Sequence, residues 1–502
     1  VGLTACSDFF EPIPGVQFGL DETFASKQRT EEYLNNVYSY VREVTDAIHP
    51  NTYGGIFTEA SLDGANRWNK TYAEWTNGSF NSASAQASEY FSKYYQAIAK
   101  ASTFIQNVDK CTEAAASTRG KWKSEARALR AYYYFELLRL YGPIPLIGED
   151  PIPLDASLEE LIKERNSVDE CVNFIATELQ SAIDSGDLLQ RAGKANLGRM
   201  DVATCMALKA KLYLYWASPL FNGNTDQASV KNKDGKQLFP QTEDHSKWTQ
   251  ARDAYERFMT FATGQGYKLT EVYTNGKLDP YASCRAAGEF FTTTWEAVDE
   301  LIFVKLRDLY DYTYWVCPKF TDFQDTDVTG GGGYYTTQET VDLFFTKDGL
   351  TIEEDPGYDK FEGIPGANNF TSGRYYDPNN PSRLYFDADK SKVLKQWKDR
   401  EPRFYVNITY SGSIWLNEGK YNEEMRTDFT NGANGTCGKS KASGDCPDSG
   451  YLIRRGAKAS NNNGSKHFSP VLRLADMYLG YAEALCMCSD LDNALTYLNK
   501  IR

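Results

Sequence analysis

The stretch SEARALRAYYYFELLRLYGPIPLI, residues 124–147, carries the clearest helical pattern of the chain. Its apolar side chains recur every three or four residues, which places them on one face of a helix. This stripe consists of Ala126, Leu129, Tyr133, Leu137 and Leu140. Gly142 and Pro143 follow, and proline cannot continue a helix because it has no amide proton and its ring clashes with the preceding turn. The stretch therefore predicts a helix that stops at Gly142.

Two more apolar stripes lie further along the chain. One, at 203–217, is rich in alanine and is ended by Pro219, and the other lies at 471–485. Small side chains let a neighbouring helix approach closely. Periodicity also predicts helices at 28–48, 84–109, 167–184, 247–262 and 490–502. These eight helices make four antiparallel pairs, as in tetratricopeptide repeats, although their spacing is irregular.

The composition changes between 263 and 470, where Gly, Asn, Asp, Tyr and Pro become dense. Four consecutive glycines stand at 330–333, and short strands are predicted at 301–306, 404–408 and 451–453. Loops on a rigid scaffold are where binding residues usually collect. The predicted fold class is mainly α, with four helix pairs of tetratricopeptide type packed against a loop-rich region with short β pieces.

The overall composition excludes some classes of function. The chain of 502 residues has a net charge of −14, and an acidic surface argues against nucleic-acid binding. Only 3 His are present, which disfavours a histidine-based catalytic or zinc site. The 34 Tyr and 9 Trp suit either helix packing or ligand contact, and for any single ring packing is the favoured interpretation.

The cysteines and aspartates give weaker signals. No C-x-x-C pair exists among the ten Cys, and a disulfide between Cys437 and Cys446 is left open. Asp322, Asp325 and Asp327 precede the glycine run, and their oxygens would suit calcium. Their spacing is not that of an EF-hand loop, so a solvated turn is favoured and no cofactor is predicted.

Five parts of the chain resemble the SusD/RagB family of nutrient-binding lipoproteins, in the family's order. They are SEARALRAYYYFELLRLYGPIPLI (124–147), GRMDVATCMALKAKLYLYWASPLFNG (198–223), TTQETVDLFFTKDG (336–349), DREPRFYVNITYSG (399–412), and SPVLRLADMYLGYAEAL (469–485) followed by ALTYLNKIR (494–502). The resemblance implies a SusD-like, α-rich binding protein that is not an enzyme. It also implies that the helices contact a SusC-like TonB-dependent transporter while the loop region binds oligosaccharide or polysaccharide.

The N-terminal sequence resembles the lipobox of bacterial lipoproteins. LTAC at residues 3–6 places small residues before Cys6, which such a signal would lipidate. Asp8 and Glu11 resemble the surface-export signal of Bacteroidetes lipoproteins. No run of 18 apolar residues occurs, so the expected location is the cell-surface face of the outer membrane, reached through the lipid.

The expected organisation has five parts. They are a signal-peptide remnant (1–6), an extended tether (7–27), a helical repeat region (28–262), a loop-rich glycan-binding region (263–470) and a last helical repeat (471–502). The last helix runs to the final residue without a stop signal, so we expect the sequence to be cut short there. Family members usually continue with another helical segment.

Two aromatic segments are the candidate ligand sites. A pyranose ring has an apolar face for aromatic stacking and a polar rim for hydrogen bonds. The first segment, NRWNKTYAEWTNGSF, supplies Arg67, Trp68, Tyr72, Trp75 and Asn77. The second, DLYDYTYWVCPKF, supplies Tyr312, Tyr314 and Trp315, and its alternating tyrosines would share one face of a strand. For Trp68 and Trp75 the alternative is a ring that wedges the loop onto the helices.

Other functions remain as alternatives. A glycoside hydrolase needs two placed carboxylates, but 68 acidic residues make a pair uninformative. No G-x-S-x-G or H-E-x-x-H motif is present. A RagB-like protein that captures peptide or glycoprotein stays open, as does a helical-repeat scaffold for protein interactions. The sequence does not identify the glycan.

Overall fold

The structure is a computed structural model. It describes residues 19–41, 64–66, 78–148, 156–288, 299–307, 314–320, 330–360, 363–416, 425–430, 437–438, 444–457 and 467–502. The helices in these parts are α1 (Leu20–Ala25), α2 (Lys27–Tyr38), α3 (Ala85–Asn107), α4 (Ala116–Tyr141), α5 (Leu158–Leu161), α6 (Val168–Asp184), α7 (Val202–Ala217), α8 (Ser246–Gly264), α9 (Pro280–Gly288), α10 (Gln338–Asp342), α11 (Pro402–Asn407), α12 (Leu474–Met487) and α13 (Leu491–Ile501). The strands are β1 (Ala65–Asn66), β2 (Tyr273–Thr274), β3 (Lys277–Leu278), β4 (Leu301–Arg307), β5 (Tyr334–Tyr335), β6 (Arg374–Asp377), β7 (Asn380–Asp387), β8 (Ile408–Tyr410), β9 (Tyr451–Ile453) and β10 (His467–Arg473).

Helix α4 contains the periodic stretch and ends where the sequence predicts. Gly142 follows it with φ 68°, a left-handed conformation that glycine adopts without steric cost. The Gly142 amide donates to the Leu138 carbonyl at 2.9 Å, which satisfies an otherwise open helix end. The seven other predicted helices are confirmed as α2, α3, α6, α7, α8, α12 and α13. The first of them, α2, ends at Tyr38, so the end predicted at 48 is wrong.

The chain divides into two compact units. The first comprises the described residues of Val1–Val41, Tyr90–Gln190 and Met200–Ala254. The second comprises those of Arg42–Glu89, Arg191–Arg199 and Tyr255–Arg502. The first unit is built from helices, with α4 packed on α6 and α6 packed on α7. The fold-class prediction of a mainly α chain with short β pieces is confirmed.

A buried ion pair joins three helices of the first unit. The Arg130 side chain on α4 is completely buried, and its Nε donates to Glu178 Oε2 on α6 at 2.9 Å. Arg130 Nη1 donates to Ser102 Oγ on α3 at 3.1 Å. Arg127 Nη1 donates to the other carboxylate oxygen of Glu178 at 3.0 Å. Both charges are thus compensated, which burial requires.

The second unit combines short sheets with an aromatic core. Its largest sheet has the strand order β1-β5-β9-β8, and β4 pairs with β10. The core contains Tyr281, Tyr385, Phe386, Trp397, Phe404, Tyr405, Tyr410 and Tyr451. Tyr385 and Tyr405 stack with centroids 3.9 Å apart. The structure therefore shows that these rings pack in the core, which is the role favoured for any single ring over ligand contact.

One predicted strand of this unit is wrong. The sequence predicts an extended segment at 404–408, but α11 occupies Pro402–Asn407 and the strand β8 begins only at Ile408. Pro402 stands in the first turn of the helix, where its missing amide proton costs nothing and its φ suits the helix. The predicted strands at 301–306 and 451–453 are confirmed as β4 and β9.

The last helix pair contacts α8 through aromatic rings. Tyr481 on α12 stacks on Tyr255 at 6.2 Å between centroids, and it meets Tyr497 of α13 edge to face at 4.6 Å. A Cβ on Gly480 would lie 2.2 Å from the Tyr255 hydroxyl, so glycine permits this close approach. At the start of α12, Arg473 donates to Glu300 at 3.0 Å.

Arg400 joins the two loop motifs at 336–349 and 399–412. Its guanidinium is buried and donates to the carbonyls of Val341 at 2.7 Å and Phe344 at 2.6 Å. It also donates to the Tyr358 hydroxyl at 2.8 Å. One side chain therefore satisfies several buried carbonyls of a loop that has little regular structure.

Alkaline pH is expected to destabilise this unit through Tyr358. Its hydroxyl donates to the Gln396 carbonyl at 2.9 Å, and burial raises its pKa from 10.0 to about 12. A folded pKa above the unfolded value means that this contribution is intact below pH 10.0 and is lost as the pH rises through about 12. Urea titrations should show the free energy of unfolding falling across that window, and falling less steeply in Tyr358→Phe. Identical slopes would contradict the assignment.

The structure bears on two further points, a membrane-spanning helix and a disulfide between Cys437 and Cys446. Within the described residues, no helix combines the length and apolarity needed to cross a membrane. Cys437 and Cys446 are both buried thiols, so the disulfide left open by the sequence is not formed. The Cys437 thiol instead donates to the Asp428 carbonyl at 3.6 Å.

Candidate functional site

The predicted site residues divide between described and undescribed parts of the chain. Outside the described residues lie Cys6, Arg67, Trp68, Tyr72, Trp75, Asn77, Tyr312, Asp322, Asp325 and Asp327. Tyr314 and Trp315 are described. The structure therefore describes residues 314–320 of the second aromatic segment and the backbone at 64–66 that leads into the first.

Tyr314 and Trp315 lie on a helical turn at 314–316, so the predicted strand alternation is wrong at this position. On such a turn neighbouring side chains diverge by about 100° instead of alternating. The two rings meet edge to face, with centroids 5.1 Å apart and planes at 81°. Both side chains are half-buried, and Trp315 packs against a core cluster that contains Val316 and Trp415.

The glycine run holds this turn by its backbone. Its amides donate to carbonyls of the turn: Gly330 to Pro318 at 2.9 Å, Gly331 to Tyr314 at 2.7 Å, Gly332 to Cys317 at 2.9 Å and Gly333 to Trp315 at 3.1 Å. These four bonds fix the glycine run against residues 314–318.

The close approach leaves no room for side chains on the run. A Cβ on Gly331 would lie 2.4 Å from Trp315 Cε3 and 2.9 Å from Tyr314 Cε1. A Cβ on Gly330 would lie 2.4 Å from the Tyr314 carbonyl oxygen. The sequence predicted only a loop here, and the unbroken run of four glycines was the signal of a close backbone contact.

Strand pairing brings the two aromatic segments together. β5 directly follows the glycine run and pairs with β1, with Asn66 opposite Tyr334 and Ala65 opposite Tyr335. Asn66 immediately precedes Arg67 and Trp68 in the chain. The first aromatic segment therefore starts next to the turn that carries Trp315.

Charged groups flank the same turn. Lys319 forms an ion pair with Asp445, and each side chain is about one-third exposed (32% and 27%). Aromatic rings beside partly exposed charges can contact both the apolar face and the polar rim of a ligand. Among the residues that the structure describes, no group of three or more His, Cys, Asp or Glu could hold a metal ion.

A second concave surface lies at the β2–β3 hairpin. A cleft of about 330 Å³ is lined by residues 268–273 and Asp299. Tyr273 is 60% exposed, and its hydroxyl donates to Glu271 at 2.9 Å, which raises the pKa of the phenol. The cleft offers a single exposed ring among charged groups, whereas the turn at 314–316 carries two adjoining rings. Sequence analysis did not predict it.

Comparison with known families identifies the chain. A model described as the SusD family matches residues 300–502, and a model described as starch-binding associating with outer membrane matches residues 17–214. The first and the last part of the chain are thus each similar to a SusD-type family. The resemblance drawn from the five motifs is thereby confirmed. SusD-like proteins are binding proteins associated with the outer membrane.

Individual relatives agree with this assignment. A SusD-like protein from Bacteroides ovatus is 27% identical over 175 residues, which cover 34% of this chain and 30% of that relative's length. The solved structure of BT4246 has a TM-score of 0.72 at 24% identity and covers 95% of this chain and 81% of its own. A SusD-like carbohydrate-binding protein from Bacteroides fragilis has a TM-score of 0.60 at 17% identity, covering 93% and 75%. At these identities the solved structures show a common fold.

Proposed function

We propose that this SusD-like chain captures oligosaccharide or polysaccharide at the cell surface and delivers it to a SusC-like TonB-dependent transporter. Capture uses binding alone, without cleavage of the glycan. A lipid on Cys6 anchors the protein to the outer membrane. The helical region at 28–262 contacts the transporter and the loop-rich region at 263–470 holds the glycan.

The pairing of Asn66 with Tyr334 is the observation that carries the glycan proposal. It places the start of the segment containing Trp68 and Trp75 beside the turn of Trp315. Several flat contacts in one place suit a sugar polymer, since each ring covers one apolar sugar face and single contacts are weak. The family description as starch-binding and the carbohydrate-binding relative from Bacteroides fragilis support the same ligand class.

Alanine substitution of Trp68, Trp75, Tyr312 and Trp315, one at a time, tests the proposed platform. Truncating an aromatic contact at the centre of a binding site commonly costs more than about 1 kcal/mol, so we expect affinity to fall by about tenfold for each. Affinity electrophoresis against plant glycans and host mucin measures this directly. Four unchanged affinities would refute the assignment.

Controls separate binding from folding and sugar from peptide. Tyr376→Ala removes a tyrosine ring that is 36% exposed on β6, a strand outside the sheet that contains β1 and β5, and should bind as the unaltered protein does. Trp315 also packs against the core, so urea unfolding of Trp315→Ala measures how much stability is lost with that packing. If the protein binds a peptide mixture but none of the glycans, a RagB-like protein is favoured. Release of reducing ends from a bound glycan would contradict capture without cleavage.

A further inference from the structure

The cleft at the β2–β3 hairpin lies entirely within the second unit. Its lining runs along residues 268–273 and includes Asp299. The volume of about 330 Å³ is at the small end of the roughly 300–1,000 Å³ that small-molecule sites occupy. The space therefore suits one sugar ring and not a long stretch of polymer.

Alternate amides of the lining segment bond to the protein, which is the pattern of an extended chain. Their acceptors lie at residues 299–300 and on α9. Glu300 is buried and also accepts from Arg473 at 3.0 Å, so this side of the segment is anchored in the fold. The three bonds join the amides of Lys268 to the Asp299 carbonyl at 3.1 Å, of Thr270 to Glu300 Oε2 at 3.0 Å and of Val272 to Ser283 Oγ at 2.9 Å.

The amides between these three are open. The N–H groups of Leu269 and Glu271 bond to no acceptor among the residues that the structure describes. Successive N–H groups of an extended chain point to opposite sides, so these two point away from residues 299–300. An unpaired edge of this kind offers hydrogen-bond donors to a ligand.

The rim of the cleft supplies acceptors and an aromatic ring. Tyr273 is 60% exposed, and its hydroxyl donates to Glu271 at 2.9 Å, which limits the movement of the ring. A ring held before binding loses less entropy when a ligand stacks on it. The Asp299 carboxylate accepts from Arg191 at 2.9 Å and lies 3.5 Å from Lys268 Nζ. Each carboxylate has more acceptor positions than these bonds use.

The charges at the cleft favour a neutral ligand with many hydroxyls. Glu271 and Asp299 would repel an anion, and the cationic positions beside Asp299 are already taken by Lys268 and Arg191. A pyranose is uncharged, donates and accepts through its hydroxyls, and has an apolar face for a tyrosine ring. The exposed ring and the volume of the cleft favour a sugar over an extended peptide, which would otherwise pair with the open amides.

We propose that this cleft is a second sugar-binding site, which holds one neutral pyranose unit against Tyr273. The sugar hydroxyls accept from the amides of Leu269 and Glu271 and donate to the carboxylates of Glu271 and Asp299. This inference rests on the proposed capture of glycan and adds a contact that does not involve the turn at 314–316. A polymer that reaches both sites gains affinity because its second contact forms at a high effective concentration.

Tyr273→Ala tests this site in the full chain. Affinity electrophoresis in gels that contain soluble starch, xylan or mucin measures binding. For the glycan that retards the unaltered protein most, we expect affinity to fall at least about fivefold, as for other truncated aromatic contacts. Leu278→Ala is the matched control, since Leu278 is 49% exposed in the same hairpin but does not line the cleft, and it should keep full affinity. Full affinity in Tyr273→Ala, or an equal loss in both variants, would overturn the proposal.

Trp315→Ala separates this inference from the proposed function. If both sites bind one polymer, adding Tyr273→Ala should lower the affinity of Trp315→Ala further. A loss with Trp315→Ala and none with Tyr273→Ala would refute the second site alone, whereas an unaltered protein that binds none of the three glycans would refute both. If Tyr273→Ala weakens binding of a peptide mixture and leaves glycan binding unchanged, the ligand of the cleft is a peptide and the proposal is wrong.

Discussion

Glu178→Ala is expected to lower the free energy of unfolding by about 3–5 kcal/mol, because it leaves a buried charge without its partner. The carboxylate receives hydrogen bonds from both Arg127 and Arg130, and Arg130 has no exposed surface. After the substitution only Ser102 would still bond its guanidinium. Urea or thermal unfolding of the full chain measures the loss.

Two further variants test the cause of this loss. Glu353→Ala breaks an ion pair with Lys360 whose side chains are 63% and 41% exposed, and such a pair is worth about 0–1 kcal/mol. The double variant Arg130→Met with Glu178→Leu removes both charges, and apolar replacement of a buried pair is often neutral. We expect it to recover most of the stability. A double variant as unstable as Glu178→Ala alone would show that packing, not the unpaired charge, dominates.

Gly331→Ala should weaken both folding and glycan capture. The added methyl would meet the Trp315 ring at 2.4 Å, so the ring or the glycine run has to move. Overpacking of this kind typically costs about 1–3 kcal/mol of unfolding free energy. A displaced Trp315 would also leave the proposed platform, so affinity for the glycan should fall further than stability alone explains.

Gly264→Ala is the matched control for this prediction. Its Cβ would have nothing within 4 Å, and it belongs to the same unit as Gly331. We expect its affinity to equal that of the unaltered protein and its stability to be equal or up to about 1 kcal/mol higher, because Gly264 lies in α8 and alanine favours a helix. If Gly331→Ala is destabilised but retains full affinity, the turn at 314–316 is structural and Trp315 does not contact the ligand.

The candidate site was predictable only in part. The two aromatic segments stand out as rings in polar surroundings, and Tyr314 and Trp315 do adjoin each other as sequence neighbours. The strand alternation predicted for them is wrong because residues 314–316 form a helical turn, and that turn is held by the glycine run, a distant segment of the chain. No periodicity in either segment reports such a contact.

The sequence was sufficient for the presence of the eight helices and for the family resemblance, since both rest on local patterns. Apolar spacing near 3.6 residues selects the buried face of a helix, and Gly142 and Pro219 end α4 and α7 through backbone properties of their own. The segment 404–408 shows the limit of local patterns. It was predicted as a strand but is helix α11 up to Asn407, because so short an apolar segment suits a helix or a strand equally well.

Only the tertiary structure decides which polar groups are buried together. Arg130 meets Glu178, and Asn66 meets Tyr334, because helices and strands far apart in sequence pack against each other. Arg400 looks like any other arginine in the sequence, and its burial among the carbonyls of Val341 and Phe344 follows from what surrounds it in space. The energy of a buried charge depends on those surroundings, which composition and periodicity do not encode.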